Sequence, residues 1–341
     1  MPKDFSEAPK EAVPEGLVYV SDVMPGIGRR RCGRGFAYLD PEGHILSDPA
    51  ERERCRRLAV PPAYRDVWIC PIPNGHLQAT GLDDRGRKQY RYHPDWQTWR
   101  SQVKYDQLVR FGEALPRLRR RVERDLGREA GDLAFTLAAL TTFLDRTHMR
   151  VGNSAYAEEN GTFGATTLLN RHVSLESGVV RLRFRAKGGR KVSMTLRDRR
   201  LHRILQEVHD LPGRNLFTWI DEAGEAHPVC SHHVNAYIAE ATGIDCATGK
   251  TFRTWAGTLT AFITARSAGE GRLTIQDLCH AAAERLANTP AICRSSYIHP
   301  RVLDLANLGR PERAVRLAAI RLRGSRALRS DERRLLGFLA G

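Results

Sequence analysis

At 341 residues the chain is long enough for two domains, each with its own core. Its 54 Lys and Arg against 39 Asp and Glu leave a net charge of +15, spread along the chain, which points to a polyanionic partner. Seven cysteines without a C-x-x-C pair, no apolar run of spanning length, no basic amphipathic anchor and no apolar leader at Met1–Glu7 argue against disulfide scaffolds, zinc sites, membrane proteins and secreted proteins. Nucleic acid is the expected partner, and a cytoplasmic, nucleoid-associated location follows from it.

Residues 1 to about 17, rich in Pro, Glu and Lys, are expected to be loose. Gly26-Ile27-Gly28 and Gly33-Arg34-Gly35 flank three arginines, but no G-x-x-x-x-G-K-[ST] motif makes this a phosphate loop. Short strands are predicted at Phe36–Leu39, His44–Leu46, Val67–Cys70 and His76–Thr80, with turns at Pro41–Gly43 and Pro73–Gly75 and a helix around Asp48 to Leu58. In Gly86–His93, Arg87, Lys88, Tyr90, Arg91 and Tyr92 alternate cations with rings. Such a strand suits phosphate and base contacts, and it equally suits an ordinary amphipathic edge.

Beyond Pro94 the period becomes helical. Trp96, Trp99, Val103, Leu108 and Phe111 predict one helix and Leu115 to Leu126 another; a third starts at Asp132, presents Leu133, Leu137, Leu140 and Leu144, and delivers Arg150 at its far end. Residues 173–196 alternate as strands around Ala186-Lys187-Gly188-Gly189-Arg190, which sets Lys187 at a hairpin tip. Helices are expected at about 198–209, 230–241, 250–267, 274–287 and 311–322. The last 32 residues hold nine arginines against three acids, and Val315, Leu317 and Ile320 predict a packed helix there with a solvated basic face. The fold class is therefore α+β: a small mostly-β N-terminal domain, residues 1–94, and a mainly α-helical domain, residues 95–341, with a β-hairpin insert.

The chemistry centres on Asn288–Tyr297. Thr289-Pro290 starts a helix, because Pro suits the first helical position, and Pro300 closes the segment. Tyr297 then lies near the end of a two-turn helix with its hydroxyl partly exposed. A phenol titrating near about 10 is a poor nucleophile at neutral pH. Attack on a phosphodiester would need two arginines on the non-bridging oxygens and a proton donor for the leaving oxygen. Arg150, Arg253 and Lys187 are of the right types. The sequence offers no carboxylate cluster for two metals and no H-E-x-x-H.

The order Arg150, Lys187, Arg253, Asn288, Tyr297 resembles that of the type IB DNA topoisomerases, in their small poxvirus and bacterial form. The resemblance is carried by Met149–Asn153, Asn160–Leu168, Phe184–Gly188, Lys250–Trp255 and Asn288–Tyr297, and it reaches through Gly86–Tyr90, so it spans nearly the whole chain. It implies a topoisomerase catalytic fold in a C-shaped clamp around duplex DNA. Tyr297 would form a 3′-phosphotyrosyl link, Arg150 and Arg253 would hold non-bridging oxygens, Lys187 would be the general acid, and Lys250 would assist or contact phosphate. Neither ATP nor a metal is implied, no obligate protein partner is expected, and a monomer is the default. Position 288 is His in many members. The Asn here donates a hydrogen bond but carries no charge and exchanges no proton. Two other readings compete: a tyrosine site-specific recombinase, which usually shows His where Lys250 stands and has a helical N-terminal domain, and a basic DNA-binding protein without activity.

Overall fold

The structure, a computed structural model, describes residues 13–268 and 271–341, apart from the side chains of Ala155 and Tyr156. The expectation of a loose N-terminus falls mostly on residues 1–12, outside the described residues. Two compact units divide between Tyr105 and Asp106.

The first unit is built on strands β1 (Ile27–Cys32), β2 (Gly35–Leu39), β3 (Arg65–Ile69), β4 (Leu77–Leu82) and β5 (Lys88–Tyr92), with helix α1 (Pro49–Arg57) between β2 and β3. The sheet is antiparallel in the order β2-β1-β3-β4-β5, and one face packs Ile27, Tyr38, Val67, Ile69 and Ala79 around Cys55 of α1. Helix α1 starts where expected: Asp48 accepts from the Ala50 N–H at 2.9 Å and Pro49 takes the first turn. One expectation changes here, and the arginine run, given no element from the sequence, gains one. The arginine run is a strand, because Arg29 is used structurally. It lies 4.2 Å over the Phe36 ring and donates to the carbonyls of Val60, Pro61 and Tyr64. His44–Leu46 is no strand; only Ile45 bridges to Leu39, since the Asp40–His44 turn holds it at the open edge.

Helix α2 (Pro94–Asp125) runs unbroken through Pro116, where two helices were expected. Proline removes one helical N–H, and the fully buried Leu115 and Leu118 on either side keep the two halves in register with the core. Then come α3 (Leu133–Thr147), α4 (Ser154–Asn160), strands β6 (Val173–Glu176), β7 (Val179–Ala186) and β8 (Arg190–Arg197), α5 (Arg199–His209), the hairpin β9 (Thr218–Ile220) and β10 (Ala226–Pro228), α6 (Ser231–Thr242), α7 (Gly249–Ser267), α8 (Ile275–Leu286), α9 (Pro290–Ser296), α10 (Pro300–Asp304), α11 (Arg310–Ala318) and α12 (Ser330–Ala340). The predicted alternation in β7 and β8 is realised, with Phe184 opposite Val192 and Leu182 opposite Met194. The α11 expectation is corrected. Val315 is 70 % exposed, while Arg313 is 2 % exposed and donates to the Gly271 carbonyl at 2.9 Å. A guanidinium that finds a carbonyl acceptor is buried more readily than the spacing rule allows.

Candidate active site

Helix α7 acts as a ruler for the site. At its first turn, a Cβ on Gly249 would lie 2.2 Å from Val151 Cγ2; at Gly257 a Cβ would lie 2.7 Å from the Tyr297 carbonyl oxygen. Only glycine lets both chain segments come this close, and Arg253 stands midway between them.

The Arg150 segment is fixed by its neighbours rather than by a regular element. Helix α3 stops at His148, which is left-handed with φ 53°. The chain then runs beside residues 164–166: the Ala165 N–H donates to the Arg150 carbonyl at 2.8 Å and the Thr166 N–H to the Val151 carbonyl at 2.7 Å. A Cβ on Gly164 would sit 2.5 Å from Gly152 N, so the two backbones cross in near contact. Arg150 is half-buried; burial, and then the Arg253 charge, pull its pKa below the usual guanidinium value.

Arg253 is 3 % exposed. It donates through Nη1 to the His148 carbonyl and through Nη2 to the Leu286 carbonyl at 3.0 Å. These carbonyls lie at the C-terminal ends of α3 and α8, where the helix dipole is negative, so they offset the cost of burying the cation. Its Nε is buried with no hydrogen-bond partner among the described residues.

Asn288 follows α8 directly, after the left-handed Ala287 (φ 46°), and is 5 % exposed. Its Oδ1 accepts from the Thr289 N–H at 3.0 Å, which orients the amide and leaves Nδ2 buried and unpartnered among the described residues. Tyr297 caps α9, with its ring 5.1 Å from the Arg253 guanidinium. It is 8 % exposed, more buried than the sequence suggested, because α7 closes over its backbone. The neighbouring Cys293 is fully buried and its thiol is pushed up to about 11, first by desolvation, so it stays protonated. Tyr237, another buried tyrosine, is engaged elsewhere: its hydroxyl donates to Asp125 at 2.9 Å.

Tyr297, the two arginines, which have no carboxylate partner among the described residues, and the unpartnered Asn288 amide are together a set of groups suited to an anion. Two family profiles match the chain: "Bacterial DNA topoisomerase IB, N-terminal domain" over residues 35–83, and "Eukaryotic DNA topoisomerase I, catalytic core" over residues 93–294. The chain belongs to the type IB DNA topoisomerase family. The DNA topoisomerase 1B of Acanthamoeba polyphaga mimivirus is 30% identical over 297 residues, 83% of this chain and 88% of that protein. The DNA topoisomerase 1B of vaccinia virus (strain Copenhagen) is 25% identical over 165 residues, 47% and 51% of the two chains.

Not every residue singled out in this topoisomerase joins the cluster. Lys187 is exposed at the β7–β8 tip, where Gly188 and Gly189 have φ 78° and 75°, and Lys250 is exposed on the first turn of α7. In the N-terminal unit Arg87 pairs with Asp83 at 2.7 Å and Lys88 with Asp22 at 2.5 Å; Arg87 holds the Asp83 carboxyl down to about 2. Tyr90 and Tyr92 are exposed and stacked, 6.0 Å between centroids. Sequence reasoning missed the carbonyls of His148 and Leu286, which no side-chain pattern reveals. It also missed Arg190, whose charge acts on Arg150 and whose place beside the hairpin glycines was the available signal. Among the described residues no helix is long and apolar enough to cross a membrane.

Proposed function

We propose that this topoisomerase nicks one strand of duplex DNA by attack of the Tyr297 phenolic oxygen on a backbone phosphorus. The new O–P bond forms as the bond to the 5′ oxygen breaks; the phenolic proton is lost to solvent and the 5′ oxygen takes one from Lys187. Arg150, Arg253 Nε and Asn288 Nδ2 receive the non-bridging oxygens, whose charge grows in the transition state. Lys250 and the face bearing Tyr90, Tyr92, Arg87 and Lys88 contact the DNA backbone. The phosphotyrosine keeps the energy of the cleaved bond, so strand rotation and religation proceed without ATP. The protein works as a monomer on nucleoid DNA, with no obligate protein partner.

The observation that carries this reading is the pair of buried donors, Arg253 Nε and Asn288 Nδ2, that have no partner among the described residues, with the Arg253 guanidinium 5.1 Å from the Tyr297 ring. Buried donors are rarely left unpaired unless a ligand completes them. The β-rich N-terminal unit and Lys at position 250 favour this function over a recombinase. In the test, protein and supercoiled duplex DNA are incubated without metal or ATP. Relaxation, together with a covalent adduct after denaturation, is expected from the parent, and Tyr297→Phe should lose both while still binding DNA. An adduct that persists in Tyr297→Phe would sink the assignment.

A further inference from the structure

Threonines inside the helices of this protein mostly bond backwards. Thr142 donates to the Ala138 carbonyl at 2.9 Å, Thr147 to Phe143 at 2.7 Å, Thr242 to Ile238 at 2.7 Å and Thr264 to Thr260 at 3.0 Å. This is the ordinary fate of a helical hydroxyl. Thr258, fully buried on α7, departs from it. Its Oγ1 donates to the Tyr297 carbonyl at 3.2 Å and accepts from the His299 N–H at 3.1 Å. One hydroxyl thus ties together both sides of the turn that leaves α9 and enters α10.

We propose that Thr258 is a positioning residue for Tyr297: its hydroxyl anchors the backbone on both sides of the nucleophile to the helix that carries Arg253. The proposal rests on Tyr297 being the nucleophile. The turn needs such an anchor. Ile298 within it is fully buried, the Tyr297 carbonyl lies past the end of α9, and the Cys293 carbonyl is already shared by the Tyr297 and Ile298 N–H groups at 3.0 and 3.1 Å. Without the Thr258 hydroxyl the buried Tyr297 carbonyl and the part-buried His299 N–H would each lose this hydrogen bond. Gly257 supplies the room, since a Cβ there would lie 2.7 Å from the Tyr297 oxygen and 3.1 Å from Tyr297 Cβ. The glycine admits the turn and the neighbouring hydroxyl catches it. Because Arg253 lies five residues earlier on the same helix, the two bonds also set the distance from the phenol to the phosphate site. Attack geometry is sensitive to shifts of this kind: a displacement of about 1 Å can cost about 10²-fold in rate.

The experiment compares Thr258→Val, Thr258→Ala and Thr258→Ser by the single-turnover rate of adduct formation with enzyme in excess. DNA affinity and the religation rate are measured separately. The Val and Ala variants should cleave about 10- to 100-fold more slowly, with DNA affinity unchanged. Religation should slow by the same factor, so the fraction of DNA held covalently at equilibrium stays constant. Thr258→Ser keeps the hydroxyl and should stay close to the parent rate. A serine variant as slow as the alanine variant would show that the methyl group matters and overturn the proposal. A parental rate in the valine variant, or a loss seen only in DNA affinity, would overturn it too. If valine does not fold, the serine–alanine comparison decides alone. Tyr297→Phe, run alongside, tests the nucleophile independently: an adduct there removes the underlying reading whatever Thr258 does.

Discussion

Arg253 Nη2 donates to the Leu286 carbonyl oxygen at 3.0 Å, while Nη1 of the same guanidinium donates to the carbonyl of His148. Two helices, α3 and α8, therefore end on one cation. Each then turns through a left-handed residue, His148 or Ala287, and within two residues presents another residue of the candidate site, Arg150 or Asn288. The cluster is assembled by helix ends, not by a contiguous motif.

This packing predicts a pH dependence of stability. Burial, followed by the Arg285 charge, lowers the His148 pKa to about 3, against about 6.5 in an unfolded chain. The folded state therefore binds fewer protons between these values. The contribution is fully present above pH about 6.5 and is lost as pH falls toward 3, at up to about 1.4 kcal/mol per pH unit. His148→Asn tolerates the left-handed backbone and removes the titration. Urea midpoints from pH 7 to 4 should fall less steeply in this variant, with His76, His172 and His233, also lowered by burial, supplying a residual slope. Equal slopes would contradict the prediction.

Asn288 should act as a neutral donor. Losing one such donor costs about 10²–10³ in rate in well-studied oxyanion sites, so Asn288→Ala should slow adduct formation by up to that factor. Asn288→His should recover much of the rate. Asn288→Asp should be slower than Ala, because it sets a negative charge against the phosphate. An alanine variant that cleaves like the parent would remove Asn288 from the transition state.

Lys187 is the expected proton donor to the 5′ oxygen. Lys187→Ala should cleave ordinary DNA very slowly but cleave DNA carrying sulfur at the bridging 5′ position at close to the parent rate, since a thiol titrating near about 8.5 leaves without a proton. Failure of the sulfur substrate to rescue would make Lys187 a positioning cation.

Salt dependence separates free from engaged cations. Log affinity for duplex DNA should fall linearly with log salt, by about 0.9 per phosphate neutralised. Arg87 and Lys88 are already held by Asp83 and Asp22, whereas Arg30 and Arg31 on β1 are exposed and have no ion pair among the described residues. Alanine at Arg30 and Arg31 should therefore flatten the slope more than alanine at Arg87 and Lys88. The reverse order in a titration series would show that DNA breaks the Arg87–Asp83 and Lys88–Asp22 pairs and takes both cations for its own phosphates.

By itself the sequence determined the family, the α+β class, the helix starts at Asp48, Asp132 and Pro290, and the Lys187 hairpin, because these depend on residue type and short-range spacing. Pro at a first helical turn, Asp as a cap, and glycines between alternating strands act within a few residues. Only the tertiary structure decided that α2 runs through Pro116, that β1 is a strand despite its arginines, and that Val315 is exposed while Arg313 is buried. It alone showed that Arg253 is held by the carbonyls of His148 and Leu286 and that Thr258 holds the turn after Tyr297. Those outcomes depend on backbone groups that every residue carries alike. Which carbonyl meets which donor is set by chain segments far apart in sequence, and no local pattern encodes it.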